Sequence, residues 1–305
     1  MTKENNKTKC GFIAILGASN SGKSTFLNTI LNEKIAIVTH KVQTTRGQIR
    51  GIKTDDNSQI IFIDTPGIFN AKEKFGRAMV SSAWSAMDNS DAVIYILDVT
   101  KGITKTFTSI INHLKTINTP IALVLNKIDL IEKNKLLSLT DEIIKIVPDL
   151  FNEIFMISAL KNDGLNAVLE WIKQKIPYGD FVYEKNITTD IPLEIQLAEI
   201  TREKIYELLH QELPYNIAVK TIDIKKDAKG KATIVSQEIY TNSVNHVSII
   251  VGNKGKKLKE IGIKARKDME KIIGNKVCLF TKVNVNENWK QQQDFYDNIG
   301  LIFKN

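Results

Sequence analysis

The run Gly17-Ala18-Ser19-Asn20-Ser21-Gly22-Lys23-Ser24 sets two glycines, a lysine and a hydroxyl at the spacing G-x-x-x-x-G-K-[ST]. Residues of these types at this spacing suit the holding of a polyphosphate. The glycines let backbone amides approach phosphate oxygens with no Cβ in the way. A lysine brings charge to the outer phosphates, and a serine hydroxyl can bind the magnesium ion that accompanies them. The flanks agree. The run follows the apolar segment FIAIL and opens into TFLNTIL, which starts at Thr25. A helix there would aim the positive end of its dipole at the phosphates.

Three further clusters extend the site. Asp64-Thr65-Pro66-Gly67, followed by Ile68, closes the apolar run QIIFI. An acid at that point can hold magnesium, and the Gly67 N–H can reach a γ-phosphate. Asn126-Lys127-Ile128-Asp129 closes PIALVL. The Asp129 carboxylate can accept from both N1–H and the 2-amino group of guanine, a pair that adenine lacks. Lys127 can cover the base with its stem, and Asn126 can tie the loop to the phosphate loop. Ser158-Ala159-Leu160 follows EIFMI, where backbone amides can reach guanine O6. Together the loops predict a site for GTP and GDP rather than ATP.

With these motifs the chain resembles the translation-factor-related GTPases, and most closely the Era family, over nearly its whole length. That family's switch segment is matched by Gln43-Thr44-Thr45-Arg46, with Val42 where the family usually has proline. The resemblance implies that one threonine joins Ser24 and Asp64 as a magnesium ligand, with Thr45, beside the arginine, preferred over Thr44. Ile68 stands where Ras-type enzymes carry a water-positioning glutamine. An alkyl group cannot orient water, so slow turnover is expected. Catalysis then rests on positioning by Lys23, Thr45 and Gly67, on magnesium and on an added charge or water-orienting group. Arg46 is a candidate for that charge; an ordinary phosphate or surface contact is the alternative. Asn20 matches the asparagine that holds potassium in similar GTPases; the alternative is a residue that only shapes its loop.

Further along, Gly252-Asn253-Lys254-Gly255 opens a stretch that resembles the KH signature. Small residues there let an RNA backbone come close, and such a loop clamps about four nucleotides. Lys254, Lys256, Lys257 and Lys259 would supply charge for phosphates. The order around the loop, a helix and two strands before, a helix and a strand after, is the type II KH arrangement. The segments EITREKIYELLHQELPY and IGIKARKDMEKIIG also resemble the C-terminal domain of the Era family. In that family the RNA is the 3′ end of 16S ribosomal RNA in the 30S subunit, and the role is assembly and maturation of that subunit. The chain is expected to be a cytoplasmic monomer, and peripheral contact at the inner face of an anionic cell membrane is left open by its basic stretch.

The elements that must position these residues follow from hydrophobic pattern. GFIAIL, QIIFID, AVIYILD, PIALVLN and EIFMIS are continuous apolar runs that read as buried parallel strands. Helical patterns at 24–31, 78–87, 107–117, 135–146 and 164–176 alternate with them. The fold class expected is an α/β P-loop GTPase domain with a doubly wound, mostly parallel sheet, followed by an α+β type II KH domain. Polar, aperiodic sequence after Pro177 marks the boundary. The divisions are a flexible tail 1–9, a GTPase domain 10–177, a linker 178–190 and an RNA-binding domain 191–305.

Bulk properties fit that division. At 305 residues the chain is long for one core. No run of 18 apolar residues is present, and the first ten residues lack the apolar stretch of a secretory signal. Two cysteines far apart, Cys10 and Cys278, suit a reducing compartment without a disulfide framework or zinc site. The net charge of +8 is unevenly spread: between Val251 and Lys282, ten Lys or Arg face three acids. That concentration points to a polyanion, and anionic lipid is a rival to RNA for it.

Overall fold

The computed structural model describes residues 8–39, 41, 44–71, 73–209, 216–297 and 301. The chain divides into two compact units that part between Asp190 and Ile191.

In the first unit a six-stranded sheet holds β1 (Lys9–Leu16), β2 (Ile49–Thr54), β3 (Ser58–Asp64), β4 (Ala92–Asp98), β5 (Ile121–Asn126) and β6 (Glu153–Ile157). Their order is β2-β3-β1-β4-β5-β6. Every pairing is parallel except β2 with β3. All residues of β3, β4 and β5 are buried, as strands covered on both faces must be. The covering helices are α1 (Lys23–Leu31), α2 (Lys74–Asp88), α3 (Lys105–Leu114), α4 (Lys133–Ile146) and α5 (Leu165–Lys175). Thr104 begins α3 by accepting the Phe107 N–H on its side chain at 3.2 Å. Phe107 and Tyr95 belong to the main core cluster, and burying a side chain of this size is worth roughly 1.5–3 kcal/mol. Phe107→Ala would open a cavity costing about 3–5 kcal/mol.

β1 lies between β3 and β4, so the order of strands reverses there. At such a switch point the loops beyond the carboxyl ends of the strands leave a crevice for ligand. The loops after β1, β3, β5 and β6 carry the four nucleotide motifs.

Three features differ from the sequence reading. The edge strand β2 is absent from it. The central Gly51 of β2 lets helix α1 close in, since a Cβ there would come within 2.7 Å of the Leu27 and Leu31 methyls. Residues 8 and 9, read as part of the tail, belong to the first unit, because β1 begins at Lys9, and Thr8 donates its hydroxyl to the Gly179 carbonyl at 2.9 Å. Residues 1–7 lie outside the described residues. The segment 178–190, read as a linker, packs on the first unit. Gln59, fully buried, accepts the Val182 and Tyr183 N–H groups at 2.8 and 2.9 Å and donates to the Tyr183 carbonyl at 2.8 Å. The Ile52 N–H donates to the Thr188 carbonyl at 2.8 Å, and Arg50 pairs with Asp190 at 2.9 Å.

The second unit runs α6 (Leu193–Leu208), β7 (Ile217–Lys226), β8 (Ala232–Thr241), α7 (Val244–Val251), α8 (Lys256–Ile273), β9 (Lys276–Val285) and a short α9 (Gln293–Asp297). β8 is central, antiparallel to β7 and parallel to β9. Burial alternates residue by residue along β8, so one face packs on the helices and the other does not. Ile205, Ile217, Ile239, Ile250 and Ile261 form part of the core between sheet and helices.

Candidate functional site

The phosphate loop leaves β1 at Gly17 and enters α1 at Lys23. Gly22 has φ 100°, and a Cβ there would lie 2.2 Å from the Asn126 side-chain nitrogen. Only glycine fits both restrictions. Lys23, 5% exposed, curls back to donate to the Ala18 and Gly17 carbonyls at 3.0 and 3.3 Å. Burial lowers its pKa to about 8, with the nearby Asp64 charge acting in the opposite direction.

Beside it three side-chain oxygens converge. Ser24 Oγ donates to Asp64 Oδ2 at 2.7 Å, Thr45 Oγ1 lies 2.9 Å from Ser24 Oγ, and Thr45 Oγ1 is 3.4 Å from Asp64 Oδ2. Burial raises the Asp64 pKa against the pull of Lys23 and the two hydroxyls. Asp64 Oδ1 and the Ser19 and Ser21 hydroxyls are buried without a hydrogen-bond partner among the described residues. Such orphans are costly unless a ligand meets them. Neighbouring oxygens around a magnesium ion at 2.0–2.1 Å are spaced by about 2.9 Å, so Ser24, Thr45 and Asp64 fit that ion. Thr44 is turned elsewhere, with its hydroxyl bound to the Lys41 carbonyl at 2.7 Å and to Thr39 at 2.9 Å. Val42 and Gln43 lie outside the described residues.

The Asp64–Gly67 loop is fastened to the same place. Thr65 donates to the Ile15 carbonyl at 2.7 Å, and the Ile68 N–H donates to the Gly17 carbonyl at 3.1 Å. A Cβ on Gly67 would lie within 2.6 Å of the Ser19 hydroxyl, so the glycine is what admits this approach, with Pro66 just before it. The Ile68 side chain belongs to the hydrophobic core, so it offers nothing to a water. Arg46 is buried with its guanidinium 5.8 Å from the Phe75 ring on α2.

The base loops brace the phosphate loop. Asn126 donates to the Ser21 carbonyl at 2.8 Å and accepts the Ala159 N–H at 3.0 Å. Ser158 gives its N–H to the Asp163 carbonyl at 3.1 Å. Of the three amides expected at guanine O6, these bonds occupy those of Ser158 and Ala159 and leave that of Leu160, which is 76% exposed. Asp129 is exposed in a turn of 3-10 helix, and its carboxylate has no partner among the described residues. Lys127 donates to the Asn20 carbonyl at 2.9 Å and to Asp98 at 2.6 Å. Thr25 sits in the first turn of α1, its carbonyl accepting the Thr29 hydroxyl at 2.8 Å.

Asp98 escapes the sequence reading. The residue is 4% exposed, and its carboxylate also accepts from the Thr100 hydroxyl at 2.6 Å. Burial pushes its carboxyl up, but the hydrogen bonds from Lys127 and Thr100 outweigh that and hold it below its ordinary value. The available signal is an acid closing the apolar strand AVIYILD at the ligand end of the sheet.

The expected RNA loop joins α7 to α8. Gly252 has φ 69°, and a Cβ there would lie 2.7 Å from the Lys257 Cβ. Asn253, Lys254, Lys256 and Lys259 are exposed, and Gly255 and Lys257 are half-buried. Backbone and charge are therefore presented together on the surface.

The profile of the family described as "50S ribosome-binding GTPase" matches residues 12–127, and that of the KH domain matches residues 204–290. The "GTPase Era" of Mesorhizobium japonicum is 41% identical over 302 residues, covering 99% of this chain and 96% of that protein. This chain belongs to the GTPase Era family. The "GTPase Era" of Bradyrhizobium diazoefficiens is 42% identical over 296 residues, covering 97% and 95% of the two chains. A crystal structure of Era in complex with MgGDPNP and nucleotides 1506–1542 of 16S ribosomal RNA superposes with a TM-score of 0.92 at 38% identity, covering 96% of this chain and 99% of that one. A point variant of Aquifex aeolicus Era bound to GDP.AlF4- has a TM-score of 0.92 at 37% identity, with the same coverage. As an Era-family protein the chain is a GTPase with a C-terminal KH domain.

Proposed function

We propose that this chain hydrolyses GTP with magnesium, binds the 3′ end of 16S ribosomal RNA through its Gly252–Gly255 loop, and assists assembly and maturation of the 30S subunit. The observation that carries the nucleotide part is the unpartnered Asp129 carboxylate on a loop whose neighbours, Asn126 and Lys127, are bonded to the phosphate loop. An acceptor held at a set distance from a phosphate cradle selects guanine. The RNA part is supported by the Era structure holding nucleotides 1506–1542 and by the exposed lysines after Gly252.

In this reading amides from Gly17 to Ser24 and the Lys23 ammonium hold the phosphates. Ser24, Thr45 and Asp64 hold magnesium, which neutralises charge on the phosphate oxygens. The Gly67 N–H faces the γ-phosphate. The buried Ile68 leaves water orientation and added charge to other groups, for which a potassium ion at Asn20 and the Arg46 guanidinium are the two candidates. The protein acts as a cytoplasmic monomer. The basic surface of α8 supports peripheral contact with anionic membrane, while no helix among the described residues is long and apolar enough to cross one.

The test is Asp129→Asn in the full chain. An amide can donate to the extra oxygen of xanthine but loses two charge-assisted bonds to guanine, worth roughly 3 kcal/mol. Hydrolysis of GTP at low concentration should fall on the order of a hundredfold, xanthosine triphosphate should replace it as substrate, and RNA affinity should stay as in the parent. A variant that prefers GTP as before would remove Asp129 from base recognition.

A further inference from the structure

Asp98 ends β4 in parallel register with Asn126, the first residue of the base loop. Its two oxygens are committed to different partners. Oδ1 accepts the Thr100 N–H at 3.1 Å and the Thr100 hydroxyl at 2.6 Å. Oδ2 accepts the Lys127 ammonium at 2.6 Å. The same ammonium donates to the Asn20 carbonyl at 2.9 Å. It thus joins a residue of the base loop to one of the phosphate loop. Both are non-glycine residues with positive φ, 70° for Lys127 and 64° for Asn20. Residues other than glycine adopt this backbone region sparingly, and persist there where surrounding bonds over-determine them. The ammonium supplies such bonds, and the buried carboxylate is what holds the ammonium.

We propose that Asp98 is a positioning residue for guanine-nucleotide recognition, fixing Lys127 between its own carboxylate and the Asn20 carbonyl so that the lysine stem is a rigid shelf for the base and the two loops are latched together. This rests on the guanine site proposed above. The latch does not touch the reacting phosphate. It therefore governs how long a nucleotide stays and leaves the chemical step alone. Because it acts on the part common to GDP and GTP, both should respond alike.

The test uses the full chain, with a fluorescent GDP analogue for affinity and dissociation rate and GTP hydrolysis for KM and kcat. Asp98→Asn keeps the shape and removes the charge. It should weaken GDP and GTP equally, by roughly tenfold, through faster dissociation and a higher KM with kcat unchanged. The variant is then combined with Lys127→Ala. If Asp98 acts through Lys127, adding Asp98→Asn to Lys127→Ala should cost almost nothing more. A purely structural role for the buried carboxylate would give the same loss with or without Lys127, and that result overturns the proposal. Should Asp98→Asn fail to fold, Thr100→Val removes one bond to the carboxylate. It should shift dissociation in the same direction by a smaller factor, again only when Lys127 is present; an equal shift in its absence overturns the latch. If Lys127→Ala weakens GDP and the Asp98 change does not, the latch alone fails. If Lys127→Ala itself leaves GDP binding unchanged, the guanine-site reading falls and the latch with it.

Discussion

The nucleotide site of the first unit and the Gly252–Gly255 loop of the second use opposite designs. In the first, polar groups are buried and bonded to one another: Lys23, Asp64, Thr45, Asp98 and Asn126 are each under 10% exposed. In the second, Asn253, Lys254, Lys256 and Lys259 face solvent around two glycines. A buried, mutually braced set holds one geometry for the phosphates and for the loops that carry the base contacts, because any mismatch leaves a desolvated group unpaired. An exposed set attracts by charge and lets a backbone approach, which favours a polymer over a particular base. The two designs should therefore fail differently when disturbed.

The largest effect should come from reversing charge at the exposed loop. Asn253→Asp with Lys254→Asp removes one positive charge and sets two negative ones at the closest approach of an RNA backbone. Binding of single-stranded RNA should drop at least a hundredfold, since like charges placed against phosphate cost several kcal/mol. Both residues are exposed, so circular dichroism should match the parent, and GTP hydrolysis without RNA should not change. A folded double variant with parental RNA affinity would show that the loop only turns the chain.

The buried site should respond in stability rather than in net attraction. Lys23 has its pKa lowered to about 8 from 10.5. Between those values the unfolded chain binds the extra proton, so this group makes the protein alone more stable as pH rises from about 8 toward 10.5. Below about 8 its burial is a standing cost, on the order of 3 kcal/mol from the size of the shift. Lys23→Met should therefore unfold at higher denaturant near neutral pH while losing GTP hydrolysis. Its advantage over the parent should vanish near pH 10.5. Denaturant titrations of both proteins across this range provide the check. A parallel pair of pH curves would mean that Lys23 carries no such cost.

The same contrast explains what can be read in advance. Strands whose residues are all buried, such as Ala92–Asp98, announce themselves by composition, and β9 (Lys276–Val285) is bounded by turn residues. Motif residues on loops are legible because phosphate and guanine chemistry leaves few choices of residue type. Bonds made across the fold are not legible. β2 escapes because Gly51 breaks its apolar pattern and its reason for being glycine lies in α1. The segment 178–190 has no periodicity, since it is held by backbone groups reaching Gln59 and β2. Asp98 reads as a strand end until its partner Lys127, 29 residues further on, is seen beside it. The bond from the Ala159 N–H to the Asn126 side chain spans 33 residues and is hidden for a similar reason. Near the C-terminus, Trp289 is almost fully buried with its indole N–H directed to the Asn216 carbonyl at 3.3 Å, a contact no local pattern encodes.

The smallest expected effect tests whether charge at the loop adds one phosphate at a time. Lys257 stands apart from the other lysines there because its stem is half-buried against Gly252. Lys257→Ala keeps the Cβ that meets the glycine, so the loop geometry should survive while one ammonium is lost. A single phosphate contact releases its share of counterions. The plot of log affinity against log salt should therefore flatten by about 0.7 for single-stranded RNA. Affinity at low salt should fall modestly and by a similar factor for unrelated sequences, since a phosphate contact carries no base information. Filter-binding titrations at several salt concentrations measure the slope. An unchanged slope would take Lys257 off the RNA backbone and leave the neighbouring exposed lysines as the contacts. A slope reduced by about two units or more, the share of several phosphates, would mean that the stem supports the whole loop, and the exposed design would then share the mutual dependence seen among the buried residues of the nucleotide site.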